Sequence, residues 1–560
     1  MMKIRMPVGV SNFKKVRERY YFVDKTNFIK NLIDNHNDVT LFTRPRRFGK
    51  TLTLSMLDYF FSIDKKEDGS RLFSGLSIAS AGPEYMEEQG KYPVIFLTLK
   101  DFYNPTWDSM FRSLQLLIQD VYGSFAYLLD SDKLLPFEKE GIQRILELKA
   151  SPEEYVVSIK KLAALLYKHY GEQTIILIDE YDAPLQRAYE QGYYEEAILF
   201  WKGWFNNTLK DNQYLNFAIL TGVLRIAKES IFSGLNNLDV YSVLDNEFAD
   251  VFGFSAEDIE KIAKKLQVSQ KMAEIKQWYD GYTFGKAEIY NPWSVVQYFS
   301  KDCKPAPYWM NTSDNGILRQ LLHKATPLQM EDLQNLLEEK PVATSLQPNV
   351  VYRALQTDPK ALYTILLTTG YLTAAADVTH ADNRYLLRIP NEEIRRVYRL
   401  EVLDTVAKDV DSDTFEDLFD YLLAGQVQKF EAQLQELLVR FVSTYDTAGR
   451  ESFYHGFMLG MTALFLIKDM YEITSNSESG YGRFDLAIFP LVPDKAGVIM
   501  EFKVAATENQ LEPKAREALQ QIETKAYITE FRKRKVTQVW KYGIAFCGKH
   551  VHIVQSGWEN

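Results

Sequence analysis

Short apolar runs recur along the first half of the chain, separated by stretches whose apolar residues are spaced for helices. Val39-Thr40-Leu41-Phe42, Pro93–Leu99, Thr174–Ile178 and Leu215–Gly222 each read as a buried strand, because consecutive apolar and β-branched residues leave no polar face. Helical spacing fills about 106–129, 152–170 and 194–210 between them. Buried strands alternating with helices predict a mainly parallel sheet covered on both faces. Ligands of such sheets sit at the carboxyl ends of the strands. Upstream, Tyr20–Val23 reads as another strand, and Asp24 or Thr26 as the cap of the helix that follows.

The pattern then changes. Residues 251–345 read as mostly helical, with a helix start at Ser255 and Asp258 and another at Tyr290–Ser294. Trp278–Gly285 is an aromatic-flanked turn. Those aromatics have no accompanying Lys or Arg cluster, so they read as core rather than as base-stacking platforms. Residues 361–373 form a buried helix ending at Gly370, Arg384–Ile389 a strand, and Asn391-Glu392-Glu393 the cap of a helical connector over 391–445. Phe484–Phe489 and Val498–Val504, joined by a loop at Pro490–Gly497, predict a β-hairpin. A helix is expected over 509–527, then two closing strands at Tyr542–Phe546 and Val551–Val554. The expected domains are 1–250, 251–445 and 446–560.

With 560 residues, 46% of them hydrophobic and 14% aromatic, the chain can fill several cores. A net charge of −10 gives no whole-chain footprint for nucleic acid, so any such contact needs a local basic patch. The dense basic run is Arg532–Lys535, which reads equally well as a solvated charged turn. Cys303 and Cys547 are the only cysteines, which excludes a disulfide framework and a thiolate zinc cluster. The first residues carry no apolar signal segment, and no apolar run has membrane-span length. A cytoplasmic protein without membrane contact is the expectation. Self-association is compatible with the sequence but not indicated by it.

Two stretches carry candidate chemistry. The first is Arg44-Pro45-Arg46-Arg47-Phe48-Gly49-Lys50-Thr51, between a buried strand and a buried helix. Strand, turn, Gly-Lys-Thr and helix form the context of a phosphate-binding loop. The N–H groups and dipole of a helix start favour an anion. Lys50 can reach the β/γ-phosphates and the Thr51 hydroxyl can ligate Mg²⁺. Arg46 and Arg47 are further phosphate candidates. Arg44 stands where G-x-x-x-x-G-K-[ST] has its first glycine, so a plain basic turn is the alternative. Downstream, Ile175–Ile178 runs into Asp179-Glu180. An Asp at a strand end can hold Mg²⁺, and the adjacent Glu can polarise an attacking water. Thr221 ends a further strand and Arg225 follows it.

The second stretch is Phe484–Val504. Strand alternation places Glu501 and Lys503 on one face and Met500, Phe502 and Val504 on the other. A hairpin can bring Asp485 beside the first pair. Two carboxylates and a lysine could hold Mg²⁺ and activate water at a phosphodiester. The alternative is a Glu–Lys surface face on an edge strand.

TRPRRFGKTLTLSML, IILIDEYDAPL and ILTGVLRIAKESIFSGLNN resemble the AAA-ATPase-like part of a bacterial two-part family, whose other part resembles a PD-(D/E)XK nuclease. That family's loop commonly reads RPRRFGKT. The resemblance implies an α/β fold: an N-terminal P-loop (ASCE/AAA-like) parallel sheet, a helical lid and winged-helix-like middle, and a C-terminal α/β PD-(D/E)XK-like domain. It implies that the Thr221 strand lies between the loop strand and the Asp179 strand, with Thr221 at the sensor position and Arg225 as a candidate sensor or finger arginine. It adds Gln521 to Asp485, Glu501 and Lys503, with Phe484 in place of the motif's proline, and Glu451 as a candidate helix acid. ATP and Mg²⁺ are the implied cofactors, and nucleic acid, DNA first, the implied substrate. The rival reading is a nucleotide-dependent switch or protein-interaction ATPase whose nuclease-like domain only docks a partner.

Overall fold

In the computed structural model, all residues are described except 1–4, 225–230, 233–235, 310–326, 338, 347–358, 376–383, 399–411, 442–453, 455–457, 459–470, 480–481, 493–494 and 560. The chain divides into two compact units. One comprises Met1–Ser313 with Ala343–Ile394, the other Asp314–Val342 with Arg395–Asn560.

The first unit is built on strands β1 (Val39–Thr43), β2 (Val94–Thr98), β3 (Thr174–Asp179), β4 (Leu215–Gly222) and β5 (Leu238–Tyr241). Their order across the sheet is β2-β3-β4-β1-β5, and every adjacent pair is parallel. The Thr221 strand therefore does lie between the loop strand and the Asp179 strand. β1 and β3 are buried along their whole length, as their unbroken apolar runs require. The expected strand at Tyr20–Val23 is absent; that segment is irregular, and Tyr21 and Val23 instead pack against a helical core. Of the two expected caps, Thr26 takes the N-cap position of the helix Asn27–Asn35, without a side-chain capping bond, and Asp24 accepts bonds from Thr26 and from the Ser77 backbone and hydroxyl.

The same unit continues through the helices Ala256–Leu266, Met272–Tyr279 and Pro292–Ser300. Ser255 and Asp258 cap the first reciprocally, and Asn291 caps the third. Trp278, Tyr279, Tyr290, Tyr298 and Tyr308 are core residues there. The aromatic turn at 278–285 becomes a small hairpin of β6 (Tyr282–Phe284) and β7 (Ala287–Ile289). Three short strands, β8 (Val342–Ser345), β9 (Thr373–Ala374) and β10 (Arg384–Arg388), form a separate sheet in the order β8-β10-β9.

The second unit carries β11 (Tyr471–Ser479), β12 (Gly482–Pro490), β13 (Gly497–Val504), β14 (Gln538–Cys547) and β15 (His550–Glu559), ordered as numbered. Only β13 and β14 are parallel; the helix Leu511–Thr524 makes the crossover between them. Gly543 lets that helix lie close, since a Cβ there would stand 2.2 Å from the Ala515 carbonyl oxygen.

The opposite face is covered by the helices Ser412–Leu423 and Val427–Phe441. Leu418, Leu422, Phe430, Leu434 and Leu438 share a core with Leu486, Met500, Phe502 and Tyr542. Gln435 and Glu431 accept bonds from the Val551 and Ile553 N–H groups of the edge strand β15. Residues 412–441, which in sequence read as connector, thus cover one face of the second unit's sheet.

Candidate functional site

The loop between β1 and the helix Lys50–Phe61 owes its shape to Gly49, at φ 88°. A Cβ there would touch nothing, so conformation rather than space requires glycine. Lys50 is buried, and its Nζ donates to the Arg44 and Pro45 carbonyls, both at 3.0 Å. Burial lowers its pKa, against the raising effect of Glu180, Asp179 and Asp182 nearby. One turn into the site, the Thr51 hydroxyl donates to Asp179 Oδ2 at 2.6 Å, while Thr221 donates to Asp179 Oδ1 at 2.6 Å. Two strand ends and the start of the loop helix thus meet at one carboxylate. Glu180 follows with φ 53°, a conformation costly for a side chain with a Cβ. Burial pushes its carboxyl up from the usual range, and Asp179 and Asp182 add to this against Lys50.

In the second unit, β13 is a central strand flanked by β12 and β14, so the edge-strand alternative for its Glu–Lys face does not hold. Glu501 is only 2% exposed. Asp485 lies just past the last β12–β13 pair, Leu486–Met500. There its Oδ2 takes the Phe502 N–H at 2.7 Å. Lys503 Nζ stands 3.5 Å from Glu501 Oε1, and Gln521 Nε2 donates to that same oxygen. Glu501 Oε2 is buried with no hydrogen-bond partner among the described residues. Burial first, and Asp485 second, hold the Glu501 carboxyl well above its usual range.

Comparison with known proteins follows this division. Residues 7–232 match the family model described as AAA-ATPase-like, a predicted AAA-ATPase, and residues 449–556 match the PD-(D/E)XK nuclease superfamily. The chain joins an AAA-ATPase-like domain to a PD-(D/E)XK nuclease-superfamily domain. A protein of Azotobacter chroococcum mcd 1, described as an uncharacterized protein in the vnfD 5' region, is 25% identical over 544 residues, 95% of each chain.

Within the AAA-ATPase-like domain, Arg44 takes a structural position. It is fully buried, and its guanidinium donates to the Thr43, Tyr241 and Phe248 carbonyls at 2.9, 2.9 and 3.0 Å. It lies between the Phe252 and Phe284 rings, and burial lowers its pKa to about 10. The missing glycine is thus replaced by a strut tying β1 to β5. Arg46 donates to Gln186, and the Arg47 guanidinium lies 4.4 Å from the centre of the Trp293 ring. Arg225 and Glu451 lie outside the described residues.

In the nuclease-superfamily domain, Tyr527 joins the site, its hydroxyl 3.3 Å from Gln521 Nε2. The basic run is largely occupied: Lys533 and Arg534 pair with Glu530, Arg534 also with Glu472, and Arg532 lies over Trp558. Asp182 is the residue sequence reasoning missed in the first unit. Its one local signal, a position just before a helix with Pro184 in its first turn, suggests an ordinary cap, yet it makes no capping bond. Among the described residues no group of three or more His, Cys, Asp or Glu is arranged as a metal cluster. No helix of the described residues is long and apolar enough to cross a membrane.

Proposed function

We propose that the protein binds ATP with Mg²⁺ in the first unit and hydrolyses it, and that the second unit cleaves nucleic acid, DNA first, using a divalent cation. In this reading Lys50, Arg46, Arg47 and the loop N–H groups hold the phosphates, and Thr51 and Asp179 supply hard oxygen donors for the cation. Glu180 orients and polarises the attacking water, and Thr221 fixes the Asp179 carboxylate. In the second unit Asp485 and Glu501 are the oxygen donors. Lys503 positions water or offsets charge developing on the phosphodiester, and Gln521 orients Glu501. A bound cation would polarise the phosphate and lower the pKa of its water.

The observation that carries the nuclease half is Glu501 Oε2: a buried, unpartnered carboxylate oxygen beside a second carboxylate fits an oxygen-preferring cation. Oxygen donors without clustered His or Cys favour Mg²⁺ or Mn²⁺ over zinc. The test is a cleavage assay on single- and double-stranded DNA and RNA with Mg²⁺ or EDTA, with and without ATP, run beside phosphate release. Cleavage that needs the cation and responds to ATP is expected. Phosphate release without cleavage of any substrate would leave the switch reading, in which the nuclease-like domain docks a protein. One observation favours that second reading: Arg532, Lys533 and Arg534 of the basic run are engaged by acids and an aromatic ring rather than held ready for phosphates.

A further inference from the structure

We infer that Asp182 is a positioning residue for ATP hydrolysis, locking the turn that carries Glu180 to the exit of the Thr221 strand. The inference rests on the ATPase reading and concerns a residue outside the loop, the Asp179–Glu180 pair and the sensor threonine.

Asp182 is 3% exposed, and its Oδ2 accepts two backbone bonds, from Val223 at 2.9 Å and Leu224 at 2.8 Å. It precedes the helix Ala183–Gln191 without capping it. A carboxylate that turns from its own helix to hold a neighbouring strand exit is spending its strongest acceptor on a tertiary link. Three further bonds run between the same two segments. Glu180 N–H donates to Thr221 Oγ1 at 3.4 Å, Tyr181 N–H to the Thr221 carbonyl at 2.9 Å, and the buried Tyr181 hydroxyl to the Leu224 carbonyl. Gly222 completes the lock. A Cβ there would stand 2.5 Å from Tyr181 Cε1 and 2.8 Å from Asp182 Oδ1.

The strained residue in this lock is Glu180, at φ 53°. A conformation of that kind persists only where its surroundings over-determine it. Five bonds link the Glu180 turn to the strand exit at 221–224, and two of them end on Asp182. Loosening Asp182 therefore frees the Glu180 turn to relax and move its carboxylate, while Lys50, Gly49 and Thr51 stay held by bonds of their own. Nucleotide binding and water activation should separate.

The test uses the full-length protein with Asp182→Asn, which keeps the shape and weakens the two-bond acceptor, and Gly222→Ala, which presses on the same lock from the other side. For each, the ATP dissociation constant, the kcat and KM of phosphate release and the thermal midpoint are measured. The expected result is a kcat lower by about 10- to 100-fold, the scale of a misplacement near 1 Å, with ATP affinity within about threefold of wild type. The double variant should lose little beyond the worse single variant, since both act on one element. Wild-type kcat in Asp182→Asn, or parallel losses of affinity, kcat and thermal midpoint in both variants, would overturn the inference. If wild-type protein binds ATP without releasing phosphate, the hydrolysis reading itself has failed; that outcome is distinct from normal wild-type turnover that Asp182→Asn leaves unchanged.

Discussion

The two sites treat their central carboxylate in opposite ways. In the AAA-ATPase-like domain both oxygens of Asp179 are occupied by hydroxyl donors, Thr51 at the start of the loop helix and Thr221 at the end of β4. In the nuclease-superfamily domain Glu501 has one oxygen engaged by Gln521 and Lys503 and the other buried without a partner, beside Asp485. The first site is satisfied by the protein alone, so a ligand would exchange bonds there. The second holds an uncompensated acceptor, a costly arrangement that a cation relieves. Both sites draw on acidic side chains and a lysine, yet burial and neighbours leave one carboxylate satisfied and the other not.

The sharpest way to break this comparison is at Lys50. Lys50→Ala should abolish ATP binding, since it removes the buried cation at the helix start, whereas Glu180→Gln should bind ATP and hydrolyse it about 10²- to 10⁴-fold more slowly. Calorimetry and phosphate release check both, and unchanged hydrolysis in the pair removes the ATPase reading.

At the second site, Asp485→Ala should lower cation-dependent cleavage by roughly 10³-fold, as expected for one member of a cooperating set. Phosphate release should stay at the wild-type rate. A variant that still cuts means the Asp485–Glu501 face is not where the chemistry happens.

Whether the second site can be isolated depends on where the fragment starts. We expect 395–560 to retain a cooperative thermal transition and 446–560 to lose it. The shorter piece lacks Leu418, Leu422, Phe430, Leu434 and Leu438, each contributing about 1.5–3 kcal/mol when buried. A folded 446–560 fragment, seen as a sharp melt with native circular dichroism, would show that the helices are dispensable.

Glu393 serves as a control for burial without a second carboxylate beside it. It is fully buried and accepts from Ser294 and the Trp309 N–H, with Oε2 unpartnered among the described residues. Burial raises its pKa from 4.5 to about 8. The folded state therefore keeps a proton that the unfolded state loses above 4.5. Its contribution to stability is fully present below 4.5 and is lost as pH rises towards 8. The slope is about 1.4 kcal/mol per pH unit. Glu393→Gln should flatten that decline in denaturant titrations at pH 5 to 8. An unchanged slope would mean the carboxyl is ionised when folded.

The smallest expected effect is at Glu501. Its raised pKa has the same sign, so without metal the second unit should lose stability as pH rises from the ordinary glutamate range through the raised value. Glu501→Gln should remove that loss and raise the thermal midpoint in EDTA by a few degrees, about 1 kcal/mol. Mg²⁺ should stabilise wild type more than Glu501→Gln. Equal Mg²⁺ shifts would sharpen the contrast in the other direction, towards a docking domain.

Much of this was legible in the chain. Unbroken apolar runs at 39–42 and 174–178 determined buried parallel strands, because no alternation leaves a face for water. The order Gly49-Lys50-Thr51 after such a strand, and Asp179-Glu180 at the end of another, placed chemistry at strand ends, since backbone geometry there is local. Period-two alternation put Glu501 and Lys503 on one face. Local pattern could not say that the face is covered by the helix Leu511–Thr524, nor that helices read as connector complete the other side; burial depends on what packs against an element, and its partners here lie far along the chain. The same holds for Arg44 and Asp182. Their bonds run 197 and 204 residues on from Arg44, to Tyr241 and Phe248, and 41 and 42 residues on from Asp182, to Val223 and Leu224, beyond the reach of any local pattern. The sequence by itself determined which groups were present and which faces they shared; only the tertiary structure decided which were buried, satisfied or left wanting a partner, because hydrogen-bond satisfaction and dielectric are properties of the packed neighbourhood.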